Sequence, residues 1–327
     1  MSSEDCRPED AVRVRARSSA SWAKLFTLQD AIMFGYLLIV WRLVWSSAPG
    51  SAQELCARRV YVCVAAIPLG CWIGRGASGV PQAVRWVIYR IALVGVLLEN
   101  YLMLRDLLPL VRPDSVDDAL YQLDLRLFGV EPALWLERLN HRPIVEYFAF
   151  FYFSYFFICL TYCITVVWIC RGGAQTAEFA IGTLMVYCVG QLGYMVVPAF
   201  GPIRYLVFHG EIQGGLFWGW VSATVEAGSA MKDVFPSLHT AAPTWFTLFA
   251  LHRAKVDKRW RWPALITGFF AANIVFSTMF LRWHYAIDIV AGLALAITAR
   301  LLTPRLQRWE AAWRESHGFM QAWSFER

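Results

Sequence analysis

Eight stretches of this chain stay apolar for about as long as a helix needs to cross a bilayer. The hydrocarbon core is about 30 Å thick, and a helix rising about 1.5 Å per residue spans it in roughly 20 residues. In lipid every backbone N–H and C=O must be paired inside the protein, so a run of this kind is read as a helix. The candidate spans are 27–46, 59–74, 86–104, 144–170, 178–198, 236–252, 262–281 and 284–303. The second is short and on length alone either tilts little or lies partly in the interface. The fold class that follows is all-α: a polytopic membrane bundle of about eight helices. Composition agrees, because 58% of the 327 residues are hydrophobic and only 17% are charged. A soluble domain could not hide that much apolar surface. A water-soluble enzyme and disordered, collagen-like or coiled-coil chains are excluded on the same ground.

The charges orient the bundle. With the N-terminus inside, eight spans return the C-terminus to the same side. Nineteen Lys and Arg then fall in inner segments and ten in outer ones, with Arg42 inside the first span. The tight loop 252–262 alone holds Arg253, Lys255, Lys258, Arg259 and Arg261. By the positive-inside rule both termini are cytoplasmic. The net charge of +6 is modest for this length and is spent on orientation, so no nucleic-acid partner is expected. The eight cysteines include no CxxC pair and mostly lie within apolar runs, where a thiol behaves as a small hydrophobe. The first apolar run follows a long polar lead with no clear cleavage site, so it is expected to remain as an anchor rather than a signal peptide. The organisation expected is a polar cytoplasmic tail (1–25), two extra N-terminal spans (26–85), a six-helix catalytic core (86–303) and a polar tail (304–327) with Trp309, Trp313 and Trp323 as interface anchors. Two outer segments are long. Residues 105–143 carry Asp106, Asp114, Asp117, Asp118 and Asp124 among Leu, Phe and Trp, and 119–139 reads as one or two amphipathic surface helices. Residues 199–235 are Gly-rich with interleaved aromatics and read as a folded loop, a candidate lid.

Chemistry-bearing residues converge on the outer face. Pro198-Ala-Phe-Gly-Pro-Ile-Arg204 follows the fifth span, Phe235-Pro-Ser237-Leu-His239 opens the sixth, and Arg282-Trp-His284-Tyr-Ala-Ile-Asp288 joins the seventh and eighth. His284 and Asp288 are i and i+4 at a helix start, so they share a face. A carboxylate there fixes the imidazole tautomer and leaves the other nitrogen nucleophilic. His239 lies in the first turn of its helix, where free N–H groups and the Ser237 hydroxyl favour a phosphate. Arg204 and Arg282 offer donors to phosphoryl oxygens. This set suits phosphoryl transfer through a covalent histidine with no metal and no cofactor. Each residue also has a plainer reading. Arginines at this depth snorkel to headgroups, a Pro-Ser helix start is ordinary capping, and two histidines with an aspartate fit zinc, although no HxxH or further ligand cluster supports that. A simple geometric criterion separates them: one phosphoryl group bridges two imidazoles only if they lie within about 8 Å. Within the spans Asp30, Arg42 and Glu99 are costly in lipid and are expected to face the interior or an end. Tyr152 and Tyr155 are candidates for an acceptor pocket.

Phe235-Pro-Ser-Leu-His239 and His284-Tyr-Ala-Ile-Asp288-Ile-Val-Ala-Gly292 resemble the second and third signature motifs of the type 2 phosphatidic acid phosphatase superfamily, across about residues 86–303. The segment 101–139 looks like the aureobasidin-resistance branch, the inositol phosphorylceramide synthases and their bacterial relatives. The resemblance implies that His284 attacks phosphorus, Asp288 orients it, and His239 protonates the leaving alkoxide and then activates the acceptor. Three places depart from the phosphatase pattern. The Lys-x6-Arg-Pro motif is absent and Gly-Pro-Ile-Arg204 stands near its place. The Ser-Arg pair before the third-motif histidine is Ser277-Thr278, with Arg282 as a stand-in, and the Gly before the second-motif histidine is Leu238. A less cationic clamp suits a phosphodiester better than a monoester. The expected function is therefore transfer of a phosphoryl-headgroup from a phospholipid donor to a lipid or polyol hydroxyl, on the extracytoplasmic (periplasmic or lumenal) face. Release to water as a lipid phosphate phosphatase is the alternative. A non-catalytic transporter or scaffold is the reading from another class.

Overall fold

The computed structural model describes residues 24–77, 79–170, 173–228 and 230–323. The expected polar tail before residue 24, with Arg7, Arg13, Arg15 and Arg17, lies outside these, as do Arg171 and Arg327. The described residues are helical, with one isolated bridge between Ala199 and Asp233 and no strand. Eight long helices form the bundle: α1 (Leu28–Ser46), α2 (Ser51–Arg75), α3 (Gln82–Val111), α6 (Arg142–Tyr162, continued as a π-turn over Cys163–Ile169), α7 (Gly173–Val196), α10 (Leu238–Ala254), α11 (Arg261–Phe280) and α12 (Ala286–Ser316). Seven of them are long and apolar enough to cross a membrane. The exception is α10, whose 17 residues make it the shortest. Between them lie the short helices α4 (Asp117–Phe128), α5 (Pro132–Leu136), α8 (Pro202–Tyr205) and α9 (Leu216–Gly228). Among the described residues the chain is thus a polytopic all-helical membrane bundle.

Helices overrun the expected spans at several ends, α3 to Val111 and α7 from Gly173 among them, and two further boundaries have a clear cause. Helix α2 begins at Ser51 rather than 59, because its polar first turns are satisfied within the protein. Arg59 pairs with Glu99 at 2.6 Å and with Asp106 at 3.0 Å on α3, and Gln53 donates to the Val44 and Ser47 carbonyls. Those pairs also explain how Glu99 is tolerated. Asp30 is likewise buried against Arg75 at 2.8 Å, the Tyr89 hydroxyl at 2.6 Å and the Thr27 N–H at 2.8 Å. At the other end α12 runs straight through Pro304 to Ser316 rather than stopping at the apolar boundary. The chain then turns back at Gly318, and Trp323 is buried inside the bundle instead of sitting at an interface. Arg314 anchors this return by donating to the Lys24, Phe26 and Met320 carbonyls. The two terminal segments therefore meet at one end of the bundle.

Close helix approach sets the core geometry. A Cβ on Gly182 of α7 would lie 2.1 Å from the Trp245 ring of α10, so hydrogen at that position is what lets the two helices interlock. Gly292 of α12 plays the same part against the start of α10: a Cβ there would sit 2.5 Å from the Ser237 carbonyl oxygen. In return the Ser237 N–H donates to the Asp288 carbonyl at 3.0 Å. The two motif segments are thereby locked together backbone to backbone.

Candidate active site

His239 and His284 face each other at the end of the bundle opposite the joined termini. Their ring centroids are 6.3 Å apart, inside the reach of one phosphoryl group. Ser237 caps α10 by accepting the Thr240 N–H at 3.2 Å, which places His239 in the first turn. Its imidazole is sandwiched between Tyr152, stacked at 4.5 Å, and Tyr155 at 4.2 Å. These rings, both from α6, fix the histidine's plane and leave its Nε2 buried without a hydrogen-bond partner. Ser237 itself is fully buried and does not reach the cavity below the histidines. Its hydroxyl acts as a cap, which removes it from the expected phosphate set.

His284 sits just before α12. Its Nδ1 is 3.5 Å from Asp288 Oδ2, too long for a made hydrogen bond. Asp288 Oδ2 instead accepts the Tyr285 N–H at 2.8 Å, closing the first turn of α12, while its Oδ1 and His284 Nδ1 are both buried and unbonded. The two groups lie next to each other without pairing, and such contacts commonly tighten only when substrate binds. Asp233 and the Val234 backbone also face the His284 ring.

The start of α12 is held from behind by α4. Asp124 accepts the Ala286 N–H at 2.6 Å and the Ile287 N–H at 3.0 Å, two of the orphan donors of a helix N-terminus. Seven residues earlier on the same face, Asp117 accepts the Phe200 N–H at 2.8 Å, the Gly201 N–H at 2.9 Å and the Tyr285 hydroxyl at 3.0 Å. One helix thus ties the loop before Arg204 to the loop carrying His284. The expected amphipathic helix is present, but its acidic side faces the protein while Leu123, Leu127 and Phe128 stay exposed. In the sequence these aspartates read only as charges in a surface segment. Their seven-residue spacing was the available signal, but nothing local showed which N–H groups they would meet. Glu131, which caps α5 through the Ala133 N–H, is buried close by. Burial pushes its carboxyl up to about 7, and the Asp124 and Asp288 charges push the same way.

The arginines divide. Arg204 lines the cavity beside the histidines. Arg282 does not: it donates to the Gly210 carbonyl at 2.8 Å, pairs with Glu137 at 3.3 Å and lies over the Phe208 ring at 3.8 Å. Its backbone φ of 67° places it in the left-handed position that ends α11. The Trp283 N–H reaches back to the Thr278 carbonyl and the Arg282 N–H to Met279, the bond pair of a Schellman turn. Arg282 therefore turns the chain toward His284, and its guanidinium is committed to holding that turn rather than offered to a phosphate.

Below the histidines lies a cavity of about 900 Å³. Arg204 is the only cation and Asp233 the only carboxylate among the described residues lining it. Its walls are otherwise mostly apolar and aromatic side chains from α3, α6, α7 and α10. Helix α9 covers the histidine end. Glu146 of α6 accepts the Gly215, Phe217 and Trp218 N–H groups at its start, and Arg105 of α3 donates to the Ala227 carbonyl at its end. The expected lid is thus a helix secured at both ends with charges that complement its dipole.

A model of the PAP2 superfamily matches residues 118–302, more than half of the chain. No curated protein and no solved structure matches it. The matched region runs from α4 into α12 and encloses both histidines, Asp288 and Arg204, and on that match the chain belongs to the PAP2 superfamily.

Proposed function

We propose that the protein transfers a phosphoryl-headgroup from a phospholipid donor to a lipid or polyol hydroxyl through a phosphohistidine at His284. Members of its superfamily are phosphatases and phosphotransferases acting on phosphate esters. The observation that carries the finer reading is the facing His239–His284 pair at the head of a large apolar cavity. In the first step His284 Nε2 attacks phosphorus, the P–N bond forms, and the P–O bond to the lipid alkoxide breaks. His239 delivers the proton that makes that alkoxide an alcohol. In the second step His239 takes the proton from the acceptor hydroxyl, its oxygen attacks phosphorus, and the P–N bond breaks. Asp288 pairs with His284 Nδ1 as positive charge develops on the ring. Arg204 neutralises the phosphoryl oxygens.

The near-neutral lining favours a phosphodiester. A monoester dianion beside Asp233 with one arginine would be poorly compensated, whereas a diester carries one charge for that arginine to match. On this reading the protein acts as an inositol phosphorylceramide synthase-like phosphotransferase, a reading the single cavity arginine supports. The catalytic core then comprises residues 86–303, with two added helices in 26–85. Loop 252–262 and both termini are cytoplasmic and the histidines face the extracytoplasmic side.

An assay in proteoliposomes decides the reading. Headgroup-labelled phospholipids are supplied with candidate lipid and polyol acceptors. Label appearing on an acceptor, and lost in His284→Ala, is the expected result. Release of inorganic phosphate from a monoester alone would replace it with the phosphatase reading. Full turnover by His284→Ala would refute both.

A further inference from the structure

We propose that the cavity seats one complete hydrocarbon chain of the lipid substrate, and that Trp323 is its floor and sets the longest chain admitted. The proposal rests on the lipid-phosphotransfer reading for what occupies the histidine end, and on the cavity itself for the rest.

The depth comes from α7. Its lining residues recur on one face from Tyr194, near the histidines, to Phe179. Fifteen residues of helix separate these two, a length of about 22 Å at ~1.5 Å per residue. One leaflet of a bilayer contributes about 15 Å of hydrocarbon, half of the ~30 Å core. A headgroup pocket needs no such depth, but a chain entering from the leaflet does. Away from the histidines the walls are mostly apolar, Leu93, Val167, Leu184, Phe179 and Phe246 among them, and the Thr183 hydroxyl there already accepts the Trp245 indole N–H at 3.1 Å, so the lining suits an alkyl chain better than water.

An entrance lies on the membrane side. Leu98 and Leu102 of α3 and Leu160 of α6 line the cavity and are also 56%, 44% and 57% exposed. Side chains that touch both the cavity and the outer surface of the bundle mark a lateral mouth between α3 and α6. A lipid can pass there without leaving the bilayer.

The floor is built with care for position. Trp323 is 1% exposed and lines the deep end. Its indole N–H donates to the Gln29 side chain at 3.1 Å, and its ring meets Tyr89 edge-on at 5.6 Å. The Arg90 guanidinium lies 5.6 Å from the ring. Helix α7 starts against it, since a Cβ on Gly173 would lie 2.7 Å from the Trp323 carbonyl oxygen. A large rigid side chain held from α1, α3 and α7 makes a stop at a defined depth.

Two measurements test this. Phosphatidylinositol, a phosphodiester lipid, carrying a diazirine at the chain terminus is photolysed in proteoliposomes, and labelled residues are found by mass spectrometry. Label at Trp323, Phe179 or Phe246 is expected, whereas a diazirine beside the headgroup should label near His239. The second is a chain-length series of the same lipid, read as competition with the photoprobe. Trp323→Ala should raise the preference for the longest over the shortest chain by about tenfold or more, as one methylene in an apolar pocket commonly discriminates. Ala180→Trp, which fills the cavity above the floor, should shift the preference the opposite way and guards against misfolding of the first variant. Terminal label confined to lipid-facing side chains, or an unchanged length profile in both variants, overturns the proposal. Labelling as expected without any phosphotransfer would leave the chain seat standing and remove the reaction.

Discussion

Gly292→Ala tests the mechanism without touching a chemical group. The added methyl would lie 2.5 Å from the Ser237 carbonyl oxygen and 3.1 Å from Thr240 Cβ. The nearest neighbour is backbone at the N-cap of α10, so no side chain can swing aside. Ordinary carbon–oxygen contact begins near 3.4 Å, so the start of α12 must retreat by about 0.9 Å from the start of α10. His239 rides on one of these helix starts and Asp288 on the other. A misplacement of about 1 Å costs on the order of 100-fold in rate, because the reacting geometry is lost while binding contacts survive. The expected result is a fall of about 100-fold in kcat with little change in KM, and a loss of about 1–3 kcal/mol in stability from overpacking. The assay is labelled-headgroup transfer in proteoliposomes, with thermal unfolding followed in parallel. Gly95→Ala is the control: its Cβ would meet nothing within 4 Å, and it should leave turnover unchanged. If Gly292→Ala keeps more than a third of wild-type kcat, the contact between α10 and α12 does not set the catalytic geometry.

Three further outcomes follow from the same geometry. Asp124→Asn turns a donor toward one of the two α12 N–H groups, and losing a charge-assisted bond worth about 1.5–3 kcal/mol should lower both the melting temperature and kcat; unchanged melting would show that α4 does not anchor α12. Arg204→Gln should raise KM by about tenfold or more at constant melting temperature, whereas Arg282→Gln should lower the melting temperature with KM unchanged; the reverse pattern would return Arg282 to the phosphate. Glu131 has its carboxyl raised by burial from 4.5 to about 7, so the fold holds a proton there that the unfolded chain has released. Its contribution to stability is most favourable below the unfolded value and falls as pH climbs through about 7, so the stabilisation gained by Glu131→Gln should grow between about pH 5 and pH 8. A pH-independent difference in melting temperature would mean the carboxyl is ionised throughout.

The membrane class and the helix count were legible because apolar runs of span length admit one backbone solution in lipid. His239, His284 and Asp288 were legible as well: their spacing at helix starts is local, and local geometry survives folding. The polar start of α2 was not, since Arg59 looks costly until Glu99 and Asp106 are placed across from it. Arg282 misled for a related reason. A cation two residues from a motif histidine reads as a ligand until the left-handed turn and Glu137 turn it away.

By itself, then, the sequence determined what kind of solvent the chain occupies and which side chains stand at helix starts, because both follow from hydropathy and from the 3.6-residue repeat. Tertiary structure alone decided which groups meet. Asp117 and Asp124 became the support of two loops, and Trp323 the end wall of a cavity whose far end holds the histidines, through contacts between residues up to 294 positions apart. Long-range pairing of that kind depends on helix packing over the whole bundle, and no local pattern encodes it.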